Sequence, residues 1–194
     1  MKLRGLYAIT PDGPGLLDKV QRALEGGIAL LQYRRKERAT PDEAKALLAL
    51  SRRHGVPFIV NDDVGLALQI DADGAHLGGG DGDLAAARRA LKGKLLGISC
   101  YNKKEAAQAA VETGADYIAF GSVFPSPTKP AAVRAPLSLF HGRHPKPVCA
   151  IGGITLQNAP EVIAAGADMV AVISDLFDAP DIARQAAAYR KLFP

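Results

Sequence analysis

The sequence predicts an α/β fold, a compact (β/α)8 TIM barrel with eight parallel strands, spanning residues 1–194 as a single domain. Three observations lead there. Apolar strand-like runs alternate with amphipathic helical runs from one end of the chain to the other. Several strand runs are apolar on both faces, as strands of a parallel sheet covered on both sides must be. No G-x-G-x-x-G follows the first strand, so the doubly wound open sheet lacks its usual mark.

In chain order the strands read "GLYAIT", "ALLQYR", "PFIVND", "GAHLGG", "LLGISC", "DYIAFGSVF", "PVCAIGG" and "DMVAVIS". Helical runs fall between them: "GLLDKVQRALEGG", "PDEAKALLALSRRHG", "DLAAARRALKG", "KKEAAQAAVETG" and "LQNAPEVIAAG". Many stop at Gly, which takes the left-handed conformation that closes a helix. The corner "TGADYIAF" recurs as "AGADMVAV", one helix-to-strand joint built twice. At 194 residues the chain is shorter than the ~250 usual for such barrels, so its loops must be short. The sixth helix is the expected casualty, because "APLSLFHGRHPKP" offers barely two turns between strands 6 and 7.

The net charge is only +4, the basic residues are scattered, and Trp is absent. A nucleic-acid surface would need a basic stripe with aromatic residues interleaved, so none is expected. No apolar run approaches bilayer length, and "MKLRGLYAIT" has neither a long apolar core nor a cleavage site. A cytoplasmic protein without membrane partners is expected. Cys100 and Cys149 sit far apart in apolar strands with no C-x-x-C spacing, which predicts buried free thiols.

In such barrels chemistry sits at the C-terminal ends of the strands. Strand 2 ends with Gln32, Arg34 and Lys36 at every second position, one face of an extended strand. Strand 3 ends "VNDD", and the loop after strand 4 reads "HLGGGDGD". Asp62 and Asp81 therefore leave adjacent strands roughly 5 Å apart, close enough to share a hard cation such as Mg2+. Asp63, Asp81 and Asp83 could equally be turn residues or caps, and Asp83 before "LAAARRAL" is a good N-cap. After strand 6, "FPSPTKP" holds Ser126, Thr128 and Lys129 in a proline-stiffened loop. Strands 7 and 8 run into "AIGGIT" and "VISD", where Gly152, Gly153 and Ser174 suit the phosphate cup common after those strands. His76 reads as a core histidine, His54 and His144 as surface residues near helix ends. A metal pair of His141 and His144 lacks further ligands.

Taken in order, "LYAITPD", "LQYRRK", "PFIVNDD", "GAHLGGGD", "GISC", "GADYIAFGSVFPSPTKP", "AIGGI" and "VAVIS" resemble the thiamine-phosphate synthase family over essentially the whole chain. That family joins 4-amino-5-hydroxymethyl-2-methylpyrimidine diphosphate to 4-methyl-5-(2-hydroxyethyl)thiazole phosphate and releases diphosphate, with Mg2+. The resemblance implies pyrimidine and diphosphate contacts from Gln32, Arg34, Lys36 and Asn61, and magnesium ligation by Asp62 and Asp81. It implies a role for Ser99 near the pyrimidine and the leaving group. Ser126, Thr128 and Lys129 fall in the loop that closes on the substrates, with Lys129 and Ser99 the implied catalytic pair. Gly153, Ile173 and Ser174 fall in the thiazole-phosphate cup. The family pattern has G-Q-E-D where this chain has Gly78-Gly79-Gly80-Asp81, and often His where it has Tyr101. Against that pattern the chain also begins almost at strand 1. Family likeness and short loops leave room for a small homo-oligomer.

Two rivals share the barrel. A thiazole tautomerase would keep the monophosphate cup without needing Asp62, Asp81 or Lys129, and would use a histidine where Tyr101 stands. A non-catalytic sensor of thiamine phosphates would bind without turnover.

Overall fold

The computed structural model describes residues 3–36, 39–79, 82–125 and 133–193. The strands are β1 (Gly5–Ile9), β2 (Leu30–Tyr33), β3 (Phe58–Asn61), β4 (Gly74–Leu77), β5 (Leu95–Tyr101), β6 (Tyr117–Gly121), β7 (Val148–Ile151) and β8 (Met169–Val172). They pair in sequence order into a closed parallel barrel, with β8 returning to β1 through Gly5 opposite Met169. The helices are α1 (Leu16–Gly26), α2 (Pro41–Arg53), α3 (Val64–Gln69), α4 (Leu84–Ala90), α5 (Lys104–Glu112), α6 (Ala159–Ala165), α7 (Ser174–Phe177) and α8 (Ile182–Arg190). Between β6 and β7 the described residues hold only a 3-10 turn, Leu137–Leu139, so the expected weak crossover is there.

Alternation along each strand sorts the apolar side chains into two cores. Tyr7, Ile9, Leu30, Ile59, Tyr117, Ala119, Cys149, Met169 and Ala171 fill the barrel interior. Their neighbours in sequence, such as Leu6, Ala8, Leu31, Val60, Ile118 and Val170, pack outward against the helices. Burial on both faces explains why these strands read as continuous apolar runs.

The recurring Gly-Ala-Asp corner has a mechanical purpose. Asp116 accepts the Leu96 amide at 2.8 Å, and Asp168 accepts the Val148 amide at 2.9 Å. In each case a carboxylate just before one strand satisfies an N–H at the start of its neighbour. Asp73 does the same for Phe58 at 2.8 Å, a third copy hidden in "DADGAHL". The first and last helices lock together at Gly26, where an added Cβ would lie 2.4 Å from the Ala183 carbonyl oxygen.

Strand β2 is shorter than "ALLQYR" suggests. It stops at Tyr33, so Arg34 and Lys36 lie beyond it. The chain leaving β1 meets Pro11, which has no N–H to continue a ladder. The Thr10 hydroxyl takes over, accepting the Arg34 amide at 2.8 Å and donating to the Arg34 carbonyl at 2.9 Å. Cys100 and Cys149 are buried and free as expected. Among the described residues no helix is long and apolar enough to cross a membrane.

Candidate functional site

The C-terminal ends of β2, β3, β5, β7 and β8 bring most of the expected residues to one end of the barrel. Gln32 points inward from β2 and is only 2% exposed. Its Nε2 donates to the Tyr7 hydroxyl at 2.7 Å, and Tyr7 meets the Tyr117 hydroxyl, also at 2.7 Å. Tyr117 then contacts His76 Nδ1 at 3.1 Å, while His76 Nε2 lies 2.8 Å from Ser99 Oγ. Five strands thus contribute to one continuous polar chain whose two ends are Gln32 and Ser99. His76 is the hydrogen-bonded core histidine that its alternation with apolar residues predicts.

Burial pushes both phenols far above their ordinary range, so each keeps its proton. Gly97 makes the crossing possible. An added Cβ there would lie 2.1 Å from Tyr117 Cζ and 2.5 Å from His76 Nδ1.

At the exit of β3, Asn61 Nδ2 donates to Asp62 Oδ2 at 2.6 Å. Asp62 has φ near 60° and donates its amide to the His76 carbonyl at 2.9 Å. That left-handed turn separates its carboxylate from Asp63, whose side chain caps α3 by accepting the Leu66 amide at 2.7 Å. Two adjacent aspartates therefore do different jobs. Asp83 caps α4 through the Ala85 and Ala86 amides, as expected.

Alternation at β2 divides the cations. Tyr33 and Arg35 face α2, where Glu43 accepts the Tyr33 hydroxyl at 2.8 Å and Arg35 Nε at 2.8 Å. The Arg35 guanidinium holds the Glu43 carboxyl below its usual range. Arg34, on the other face, is fixed at its backbone by Thr10. Lys36 is exposed at the rim, its amide on Asp12 Oδ1 at 3.1 Å and its ammonium 3.8 Å from Asp12 Oδ2. Because the strand ends at Tyr33, neither Arg34 nor Lys36 belongs to the extended face that carries Gln32.

On the opposite side, Gly152 and Gly153 have φ of 100° and 63°. Their missing side chains admit the loop after β6. A Cβ on Gly152 would meet Ser122 Oγ at 2.1 Å, and one on Gly153 would meet the Pro125 carbonyl oxygen at 2.2 Å. In this structure the glycines seat the backbone of the segment that follows β6. Asn158 Nδ2 holds the Gly153 carbonyl at 3.0 Å. Ile173 precedes α7 and Ser174 opens it. Asp175 ties that helix to the β7 loop, accepting the Leu156 amide at 3.1 Å, Gln185 at 2.8 Å and the Tyr189 hydroxyl at 2.6 Å.

Asp81, Ser126, Thr128 and Lys129 lie outside the described residues. Among the described residues no group of three or more His, Cys, Asp or Glu is placed to hold a metal ion. His54 is an exposed helix terminus, as read from the sequence. His144 is less exposed than expected, its ring 6.2 Å from Phe120, edge to face.

Sequence reasoning missed Tyr7, Tyr117, Thr10, Asn158 and Asp175. The two tyrosines carried a usable signal. A phenol at an inward position of a barrel strand must find a partner for its hydroxyl. The others act through backbone contacts, and Asp175 also through Gln185 and Tyr189, that no spacing reveals.

A family model described as thiamine monophosphate synthase matches residues 6–176. A thiamine-phosphate synthase of Aromatoleum aromaticum is 60% identical over 202 residues, covering 99% of this chain and 97% of that protein. A second, from Thioalkalivibrio sulfidiphilus, is 51% identical and covers 99% of this chain and 96% of its own length. Among solved structures, thiamine phosphate pyrophosphorylase from Pyrococcus furiosus superposes with a TM-score of 0.88 at 35% identity, covering 98% of this chain and 96% of that one. The chain belongs to the thiamine monophosphate synthase family.

Proposed function

We propose that this chain transfers the pyrimidinylmethyl group of 4-amino-5-hydroxymethyl-2-methylpyrimidine diphosphate to the nitrogen of 4-methyl-5-(2-hydroxyethyl)thiazole phosphate, forming thiamine phosphate and diphosphate. The observation that carries this is the 60% identity to a thiamine-phosphate synthase across nearly the full length of both chains. The inward ring of Gln32, Asn61 and Ser99 supports it, because a heteroaromatic ring needs polar groups in an otherwise apolar barrel.

In this reading Gln32 and Ser99 orient the pyrimidine, while Arg34, Lys36 and Asn61 hold the diphosphate. The substitution is dissociative. The amino group pushes electron density toward the exocyclic methylene, the carbon–oxygen bond breaks, and the departing oxygens gain negative charge. Arg34 and Lys129 balance that charge in a water-poor site. Lys36 must leave Asp12 to join them, a short move for an exposed side chain. Ser126 and Thr128 close the loop, and Gly153, Ile173 and Ser174 hold the thiazole phosphate so that its nitrogen faces the carbon. No protein nucleophile is required.

Asp62 fits a magnesium ion by its chemistry, a carboxylate at a strand exit turned away from its capping neighbour, with Asp81 as its expected partner. When bound, the ion would screen the diphosphate charge. A cytoplasmic setting and a homo-oligomer belong to the same proposal.

The test is product formation from the two substrates, with and without magnesium, beside Asp62→Ala, Asp81→Ala and Lys129→Ala. Magnesium-dependent thiamine phosphate, lost in all three variants, is the expected result. Binding of both substrates with no product would leave a sensor in place of an enzyme.

A further inference from the structure

We infer that Tyr7, Tyr117 and His76 form a one-way hydrogen-bond relay that makes Gln32 present an acceptor and Ser99 a donor to the pyrimidine ring. They are positioning residues that select the amino-bearing edge of the substrate. The inference rests on the reading above that the pyrimidine sits at Gln32 and Ser99.

The argument is a count of protons. Four contacts join Gln32 to Ser99, at 2.7, 2.7, 3.1 and 2.8 Å. Each phenol and a neutral imidazole have one proton to give, so all four contacts are filled without stranding a buried phenol proton only if every bond points the same way. Two directions satisfy this. In one, Gln32 Nε2 donates to Tyr7, Tyr7 to Tyr117 and Tyr117 to His76 Nδ1, while His76 Nε2–H donates to Ser99 Oγ. In the other, every bond is reversed.

The amide orientation at Gln32, with Nε2 on the Tyr7 hydroxyl, selects the first. The amide oxygen of Gln32 is then left to accept from a ligand, and the Ser99 hydroxyl proton is left to donate. Reversal requires all four bonds to turn together, in a place where Tyr7, Gln32 and Tyr117 are at most 2% exposed. The phenols stay neutral because burial raises them, which keeps the count intact.

The packing supports the same reading. The Tyr7 and Tyr117 rings meet edge to face with centroids 5.8 Å apart. Gly97 leaves the space that lets Tyr117 reach His76.

A 4-aminopyrimidine offers a donor on its amino group beside an acceptor ring nitrogen. The 4-oxo analogue offers the reverse. The relay therefore matches the first and opposes the second at both of its ends.

The experiment measures binding of 4-amino- and 4-oxo-pyrimidine diphosphates by calorimetry to the wild type and to Tyr117→Phe, with steady-state kinetics alongside. The wild type is expected to prefer the amino compound by about 100-fold or more, since mismatched buried polar groups are strongly rejected. Tyr117→Phe cuts the relay and lets each end turn independently. The preference should fall to about tenfold or less, with KM for the pyrimidine diphosphate raised and KM for the thiazole phosphate unchanged. A folded Tyr117→Phe protein with the wild-type preference overturns the relay.

Nitrogen-15 NMR of the wild type gives a second reading that does not depend on the variant folding. His76 must carry its proton on Nε2, and an Nδ1–H tautomer overturns the assigned direction. A wild type that binds neither pyrimidine overturns the substrate reading, while the tautomer in the same sample still decides the polarity.

Discussion

Gly97→Ala tests the barrel interior most directly. The new Cβ would stand 2.1 Å from Tyr117 Cζ, 2.3 Å from its hydroxyl oxygen and 2.5 Å from His76 Nδ1. Neither ring can retreat, since Tyr117 is fully buried and His76 is 7% exposed. Overpacking of this kind costs roughly 1–3 kcal/mol. Displacing Tyr117 also strains its bonds to Tyr7 and His76, each worth about 1 kcal/mol, or more when a buried partner is left unsatisfied.

The sum is about 3–5 kcal/mol, a large share of an ordinary domain's 5–15 kcal/mol. For a chain of this size it corresponds to a Tm lower by roughly 6–20 °C. Urea unfolding followed by circular dichroism measures it. Adding Tyr117→Leu to Gly97→Ala removes the collision with the ring, though not that with His76, and should recover part of the stability without restoring pyrimidine binding. A Gly97→Ala protein within about 0.5 kcal/mol of wild type, the ordinary range for a neutral surface change, would refute the packing argument.

Three further outcomes are expected. Arg35 holds the Glu43 carboxyl below its usual range, so the stability this contact gives is fully present above the ordinary carboxylate value and is lost as pH falls through the lowered folded one. Urea midpoints taken from about pH 6 down to about pH 3 should fall less steeply in Glu43→Gln, and equal slopes would contradict the assignment. Gly153→Ala places a Cβ 2.2 Å from the Pro125 carbonyl oxygen at a φ of 63°, so the loop after β6 must move. Its kcat/KM for the thiazole phosphate should drop about 10- to 100-fold, and an unchanged value would show that this loop position is not used. Burial pushes the Cys100 thiol up to about 11 and raises Cys149 further, so a thiol reagent near neutral pH should label neither until the protein unfolds. Rapid stoichiometric labelling of the native protein would count against that burial.

The barrel was legible in the chain because its evidence is periodic. Two-faced apolar strands, Gly-terminated helices and the doubled Gly-Ala-Asp corner are local patterns, and each strand pairs with the next in sequence. His76, Asp83 and the weak sixth crossover were readable for the same reason, since each follows from its immediate neighbours. Gln32 and Asp62 could be nominated because a barrel assigns chemistry to strand ends before any side chain is placed, whereas Asn61 and Ser99 were implied only by the family resemblance.

Contacts between distant segments were not legible. Nothing in "LYAIT" says that Tyr7 reaches Tyr117, which lies 110 positions away. Gly97 looked like one glycine among many until the ring it clears was in view, and Gly152 and Gly153 read as ligand-facing although they also seat the β6 loop. Sequence by itself determined which residues face inward and at which end of the barrel the polar ones gather, because alternation and connectivity are properties of the chain. Tertiary structure alone decided that Lys36 leans on Asp12 and that a proton chain links Gln32 to Ser99. Those outcomes depend on distances across the barrel, and closure of the sheet sets them.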